Sequence, residues 1–153
     1  MASESRNERP DRKGALAILA RATAGELDAA WAALDDAPDL EVVRAPEFGL
    51  VMARGRIGGG GGAFNIGEVA VTRAVVRAST GEVGYGNVLG RDRARALLVA
   101  RFDALWQSAR HRRRVEESLL QPVARRAEAE DAALRGKAAA TRVNFFTMVR
   151  GED

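Results

Sequence analysis

The residues best suited to chemistry gather around a run of five glycines at positions 58–62. Arg54 and Arg56 precede the run, Asn65 and Glu68 follow it, and Arg73 lies a little beyond. Successive glycine N–H groups can cradle an anion, and glycine lets a backbone approach a ligand closely. Arginine adds a planar fork that matches phosphate or carboxylate. A nucleoside-triphosphate loop needs Gly-Lys-Ser/Thr opening a helix. Here Ala63-Phe64-Asn65 leads into a strand pattern, so that mode is not supported, and the dinucleotide fingerprint fails for the same reason. Two readings stand: a hairpin tip, or a loop that contacts phosphate or a partner.

A second concentration lies between positions 91 and 126, with ten arginines against the acids Asp92, Asp103, Glu116 and Glu117. Arg91 and Asp92 open it and join the loop residues as candidate phosphate, substrate or partner contacts. A basic helix can meet nucleic-acid phosphates, but aromatic interleaving for base stacking is missing, Phe102 and Trp106 belonging to the apolar stripe. A solvated or partner-facing helix surface is the better reading. His111, set between Arg110 and Arg112, reads as an exposed helix residue rather than a base. It is the only histidine, and cysteine is absent. A zinc set, a thiol nucleophile, a disulfide framework and thiolate ligation of an iron–sulfur cluster are therefore unavailable to this chain. No metal site is expected, and no catalytic residue is assigned.

The elements that must position these groups follow from periodicity. Residues 11–24 and 26–36 read as helices, the second with Leu27, Trp31 and Leu34 on one face. Residues 40–44 and 49–56 read as two strands separated by Pro46. Residues 68–77 form a third, with Val69, Val71 and either Ala74 or Val75 inward and Thr72 and Arg73 marking the other phase. Ser79-Thr80-Gly81 is a hairpin turn, and residues 82–89 return as a glycine-rich strand. Asp92 caps a long helix carrying Leu97, Leu98, Phe102, Leu105 and Trp106. Pro122 kinks that helix or starts a new one, and residues 123–139 are helical. Residues 141–150 alternate as a closing strand with large apolar groups on both faces; Arg142, Phe145, Phe146 and Arg150 are its candidate interface anchors. The sum is an α+β fold, an antiparallel sheet of about four to five strands packed with N-terminal and C-terminal helices.

Length and composition fit one domain: 153 residues, 46% apolar and 29% charged, with net charge +3 and pI about 10.1. Arginine supplies nearly all the cations, Lys13 and Lys137 being the only lysines. No apolar run approaches the roughly 20 residues that span a bilayer. The opening residues are polar with no signal-peptide core. A cytoplasmic location is expected, with residues 1–10 as a disordered leader and 11–153 as the domain.

Three blocks carry a family resemblance: RAPEFGLVMARGRIGGGGGAFNIGEVAVTRAVVR at 44–77, GYGNVLGRDRARA at 84–96, and TRVNFFTMVRGE at 141–152. Leu19-Ala20 and Trp31 fit the same pattern. On these residues the chain resembles the PhnG family, subunits of the bacterial carbon–phosphorus lyase core complex. The resemblance implies assembly with the other core subunits and with associated ATP-binding-cassette-type proteins. It also implies an early reaction in which a phosphonate displaces adenine from ATP, giving alpha-D-ribose 1-methylphosphonate 5-triphosphate. A later radical step would use S-adenosylmethionine and an iron–sulfur cluster on another subunit. This chain would be a non-catalytic or co-catalytic subunit that binds no cofactor alone, no nucleic acid and no membrane. Two other classes stay open beside it: an arginine-rich nucleic-acid-binding protein, and a stand-alone protein acting on phosphate esters. The latter needs a carboxylate pair beside the arginines in one cleft.

Overall fold

A computed structural model describes residues 10–56 and 61–140 of the protein. The chain opens with two short helices whose starts are written in the sequence. Asp11 caps α1 (Arg12–Arg21), its carboxylate accepting from the Gly14 N–H at 2.7 Å. Thr23 and Glu26 form a reciprocal capping box on α2 (Ala24–Ala32). Leu19 and Leu27 are fully buried. Trp31 meets Phe102 edge-on, with ring centres 5.8 Å apart.

Glu26 also accepts from Arg126 of the last helix at 2.7 and 3.0 Å, so one carboxylate starts α2 and ties it to the far end of the chain. The Arg126 hydrogen bond, followed by the Thr23 contacts, outweighs burial and lowers the Glu26 pKa from 4.5 to about 2. A depressed carboxylate stabilises the fold in full above its unfolded pKa and loses that contribution as pH falls through the folded value. Glu26→Gln should therefore cost about 1–2 kcal/mol at neutral pH, a figure discounted for partial solvent screening. The gap between variant and parent should close between pH 4.5 and about 2. Urea unfolding across that range checks it.

Three antiparallel strands follow in the order β1-β2-β3: β1 (Leu40–Gly55), β2 (Phe64–Ala78) and β3 (Val83–Leu89). The two short strands expected at 40–44 and 49–56 are one strand of 16 residues. Pro46 does not break it, because β1 lies on the sheet edge and the register shifts between Arg44 and Glu47. The expected closing strand at 141–150 lies outside the described residues, so three strands are seen where four to five were expected. The Ser79-Thr80-Gly81 turn is present, with Gly81 at φ 106°.

The phase of β2 is the reverse of that expected from Val69 and Val71, and of the two alternatives it is Ala74, not Val75, that points inward. Thr72, Ala74 and Val76 are buried, while Val71 and Val75 lie on the other face and are only half-covered. Thr72 can be buried because its hydroxyl donates to the Gly90 carbonyl at 2.6 Å. Ala74 is small enough to let a helix approach.

That helix is α3 (Arg93–Gln107), capped by Asp92, which accepts from the Arg95 N–H at 2.9 Å. Its Ala96, Ala100 and Ala104 recur every four residues and lie against Gly84 and Gly86 of β3. A Cβ on Gly84 would sit 1.9 Å from the Ala100 carbonyl oxygen, and one on Gly86 would sit 1.9 Å from that of Ala96. Strand and helix backbones are in direct contact there, and only glycine permits it.

The expected long helix breaks at Ser108, whose ψ of 127° is extended. It restarts as α4 (Ala109–Val115), passes through a π turn (Glu116–Leu120) and continues as α5 (Gln121–Ala140). Pro122 therefore stands in the first turn of α5, where the wider turn before it absorbs the missing N–H. The core lies between the helices and the α3-facing side of the sheet, with Phe102, Leu105, Leu119, Leu120 and Val123 nearly or fully buried.

Candidate functional site

β3 pairs only with Val71–Arg77 of β2. Beyond that stretch, β1 and β2 run on as a two-stranded arm that ends at the glycine run. Strand alternation distributes the candidate residues along it. Phe48 is opposite Thr72, Leu50 opposite Ala70 and Met52 opposite Glu68, so these groups share the face that carries α3 nearer the base. Past a register irregularity between Ala53 and Arg54, Arg54 pairs with Asn65 at the tip of the arm, and Arg56 lies just past the strand.

At the base of the arm, Arg91 and the α3 residue Arg93 both stand over the Phe48 ring, at 5.0 and 5.6 Å. No carboxylate pairs with Arg54, Arg56, Arg91 or Arg93 among the described residues. The apolar side chains between them are open to solvent: Leu50 is 61% exposed and Met52 54%.

Other candidates part company with this group. Arg73 lies on the opposite face, flanked across the strands by Glu47 and Asn87. The Asp92 carboxylate is exposed and occupied in capping α3. Glu68 is exposed on the open ribbon. Three shallow hollows of about 420, 310 and 260 Å³ lie along the helical layer, and none is lined by Glu68, Asp92 or an arginine of the arm. None of the three brings Glu68 and Asp92 together beside the arginines, as an enzyme acting on phosphate esters would need. Arg142, Phe145, Phe146 and Arg150 lie outside them.

His111 is not an exposed helix residue. It is 5% exposed, with Nε2 3.1 Å from the Asp36 carbonyl oxygen and 3.5 Å from the Asp36 carboxylate. The break at Ser108 resets the helical phase and turns His111 inward. Its arginine neighbours are engaged as well. Arg110 pairs with Asp36 at 2.9 Å and Arg113 with Glu117 at 2.8 Å. Arg112 donates to the Trp106 carbonyl at 2.9 Å and stacks on its ring at 4.7 Å. Arg114 donates to the Ala33 carbonyl. A run that looks like a phosphate-binding strip is largely a clamp holding the end of α2.

Sequence reasoning also passed over Asp103, a fully buried carboxylate on α3. It accepts from Arg12 at 2.8 and 3.2 Å and from the Tyr85 N–H at 2.9 Å. The Arg12 pKa is raised, first by that hydrogen bond. Among the described residues, no three His, Cys, Asp or Glu side chains are placed to hold a metal ion. No helix among them is long and apolar enough to cross a membrane.

Fold and site together define a small α+β protein whose two-stranded arm carries exposed apolar groups and arginines with no carboxylate partner among the described residues. Residues 10–151 match the family described as phosphonate metabolism protein PhnG. A protein of Rhizobium meliloti (strain 1021), named alpha-D-ribose 1-methylphosphonate 5-triphosphate synthase subunit PhnG, is 61% identical over 142 residues, which is 93% of this chain and 90% of that protein. The chain belongs to the PhnG family.

Proposed function

We propose that this chain is a subunit of the carbon–phosphorus lyase system, needed with its partner subunits to form alpha-D-ribose 1-methylphosphonate 5-triphosphate. The observation that carries the reading is the 61% identity to a named synthase subunit along nearly the full length of both chains. In the reaction, an oxygen of the phosphonate attacks C1 of the ATP ribose. The bond from C1 to adenine breaks, adenine leaves with a proton, and the triphosphate stays on the sugar. The open arm supports a docking or co-catalytic part for this chain. Arg54, Arg56 and Arg91 are the candidates with charge to offer a neighbour or a bound phosphate, with Asn65 and Glu68 beside them on the arm. Arg142, Phe145, Phe146 and Arg150 remain candidate interface anchors.

The partners on this reading are the other core subunits in the cytoplasm, with ATP-binding-cassette-type proteins beyond them. ATP enters as a substrate of the complex. The S-adenosylmethionine and iron–sulfur chemistry belongs to another subunit, since a chain without cysteine offers no thiolate to a cluster.

The test is a subunit omission. The synthase subunits, co-expressed with and without this chain, are assayed for adenine release from ATP and methylphosphonate. Release should fall to background without the chain, and the isolated chain should release none. Undiminished release in its absence, or turnover by the chain alone, would overturn the proposal.

A further inference from the structure

The two edges of the sheet are finished differently. The β3 edge is covered by side chains at its start, over Val83 and Tyr85. The Val83 carbonyl accepts from Arg12 at 3.0 Å and from Gln107 at 2.8 Å, and the Tyr85 N–H donates to Asp103. The β1 edge has no such cover: among the described residues no strand, backbone group or side chain hydrogen-bonds to its outer side. An edge of this length, left with unpaired N–H and C=O groups, is a template for another strand.

The same stretch of β1 presents Phe48, Leu50 and Met52 on one face, bracketed by cations at both ends. Arg91 and Arg93 stand at the base, and Arg54 stands at the tip. At about 3.3 Å per residue, the bracket from Phe48 to Arg54 spans roughly 20 Å. Glu68, opposite Met52, is the one acid paired across this part of the arm.

We propose that the β1 edge takes an extended segment of a partner polypeptide, apolar through its middle and acidic at both ends. Main-chain hydrogen bonds would supply the pairing, and alternate side chains would supply the selection. Charge argues for this occupant over two others. A second copy paired antiparallel along β1 would bring Arg54 of each copy toward Arg91 and Arg93 of the other. The chain's own closing residues carry arginines at 142 and 150 on either side of their apolar run, the same sign as the bracket. The inference rests on the subunit reading above and names the chemistry of the contact.

Hydrogen exchange on residues 48–54, compared between the isolated chain and the co-expressed synthase complex, tests it. Alternate amides of that stretch should exchange freely in the isolated chain and become protected in the complex. The double variant Arg54→Glu, Arg93→Glu should weaken association roughly 10- to 100-fold at low salt. Its own melting temperature should hold, since a glutamate in the first turn suits the α3 N-terminus. Arg113→Glu, on α4, should leave association unchanged.

Equal exchange in both states would overturn the proposal. So would protection already present in the dilute isolated chain, which would assign the edge to its own closing residues. Protection that grows with concentration of the isolated chain would assign it to a second copy, and protection induced by ATP alone would assign the cations to a small anion. Failure of the chain to enter any complex would overturn the subunit reading, and this inference with it.

Discussion

Gly86→Ala should cost about 3 kcal/mol or more, because the added carbon meets a backbone atom instead of a movable side chain. For a chain of this size that is a fall in melting temperature of about 6–12 °C. The new Cβ would lie 1.9 Å from the Ala96 carbonyl oxygen and 2.9 Å from the Ala100 nitrogen, so strand and helix must separate. Gly84→Ala should behave alike, against the Ala100 carbonyl oxygen at 1.9 Å. Trimming the helix will not rescue either: Ala96→Gly or Ala100→Gly removes a methyl group and leaves the obstructing oxygen in place. Gly136→Ala is the contrasting case. Nothing lies within 4 Å of its Cβ position in α5, so the change should raise stability by about 0.5–1 kcal/mol. Thermal melts of these variants decide it. A Gly86→Ala protein that melts with the parent would mean that β3 and α3 are not in backbone contact.

Much of the helical layer was legible because helix starts and apolar faces are local signals. The Asp92 cap and the Leu27-Trp31-Leu34 face each rest on residues close together in the chain; the Asp11 and Thr23–Glu26 caps are equally local but were not read. The sheet was harder. β2 has β-branched residues in both phases, so alternation alone could not tell the face of Thr72 from that of Val71. The partner that satisfies Thr72, the Gly90 carbonyl, is remote in sequence. Pro46 looked like a break because its effect depends on whether the strand is an edge, which only the pairing reveals. The candidate site divided along the same line. Arg54, Asn65 and Glu68 were rightly placed on the hairpin. Arg73 is one residue from the buried Thr72 and therefore on the far face. The pairing of Glu26 with Arg126 and the burial of Asp103 join residues far apart in the chain, and no spacing announces them.

Asp103→Ala should destabilise the fold by about 3 kcal/mol, near the lower end for breaking a buried ion pair. The low end applies because the Arg12 side chain is 41% exposed and can turn to water once its partner is gone. The Tyr85 N–H cannot, and a buried donor without an acceptor carries its full desolvation penalty. Asp103→Asn keeps one oxygen for Tyr85 but offers Arg12 an amide, so it should recover part of the loss. Arg12→Met with Asp103→Leu should fare better than the sum of the two single changes, because neither leaves a lone charge behind. The larger consequence concerns the sheet. Arg12, Asp103 and Gln107 together cover the start of the β3 edge at Val83 and Tyr85, so removing Asp103 leaves the Tyr85 N–H open to another strand. Asp103→Ala should therefore show faster amide exchange at Val83–Tyr85 and a new, concentration-dependent self-association, measurable by light scattering below the melting transition. A variant that loses stability yet stays monodisperse would show that the carboxylate anchors α1 without guarding the edge, and that β1 is not distinguished from β3 by the closure of its neighbour.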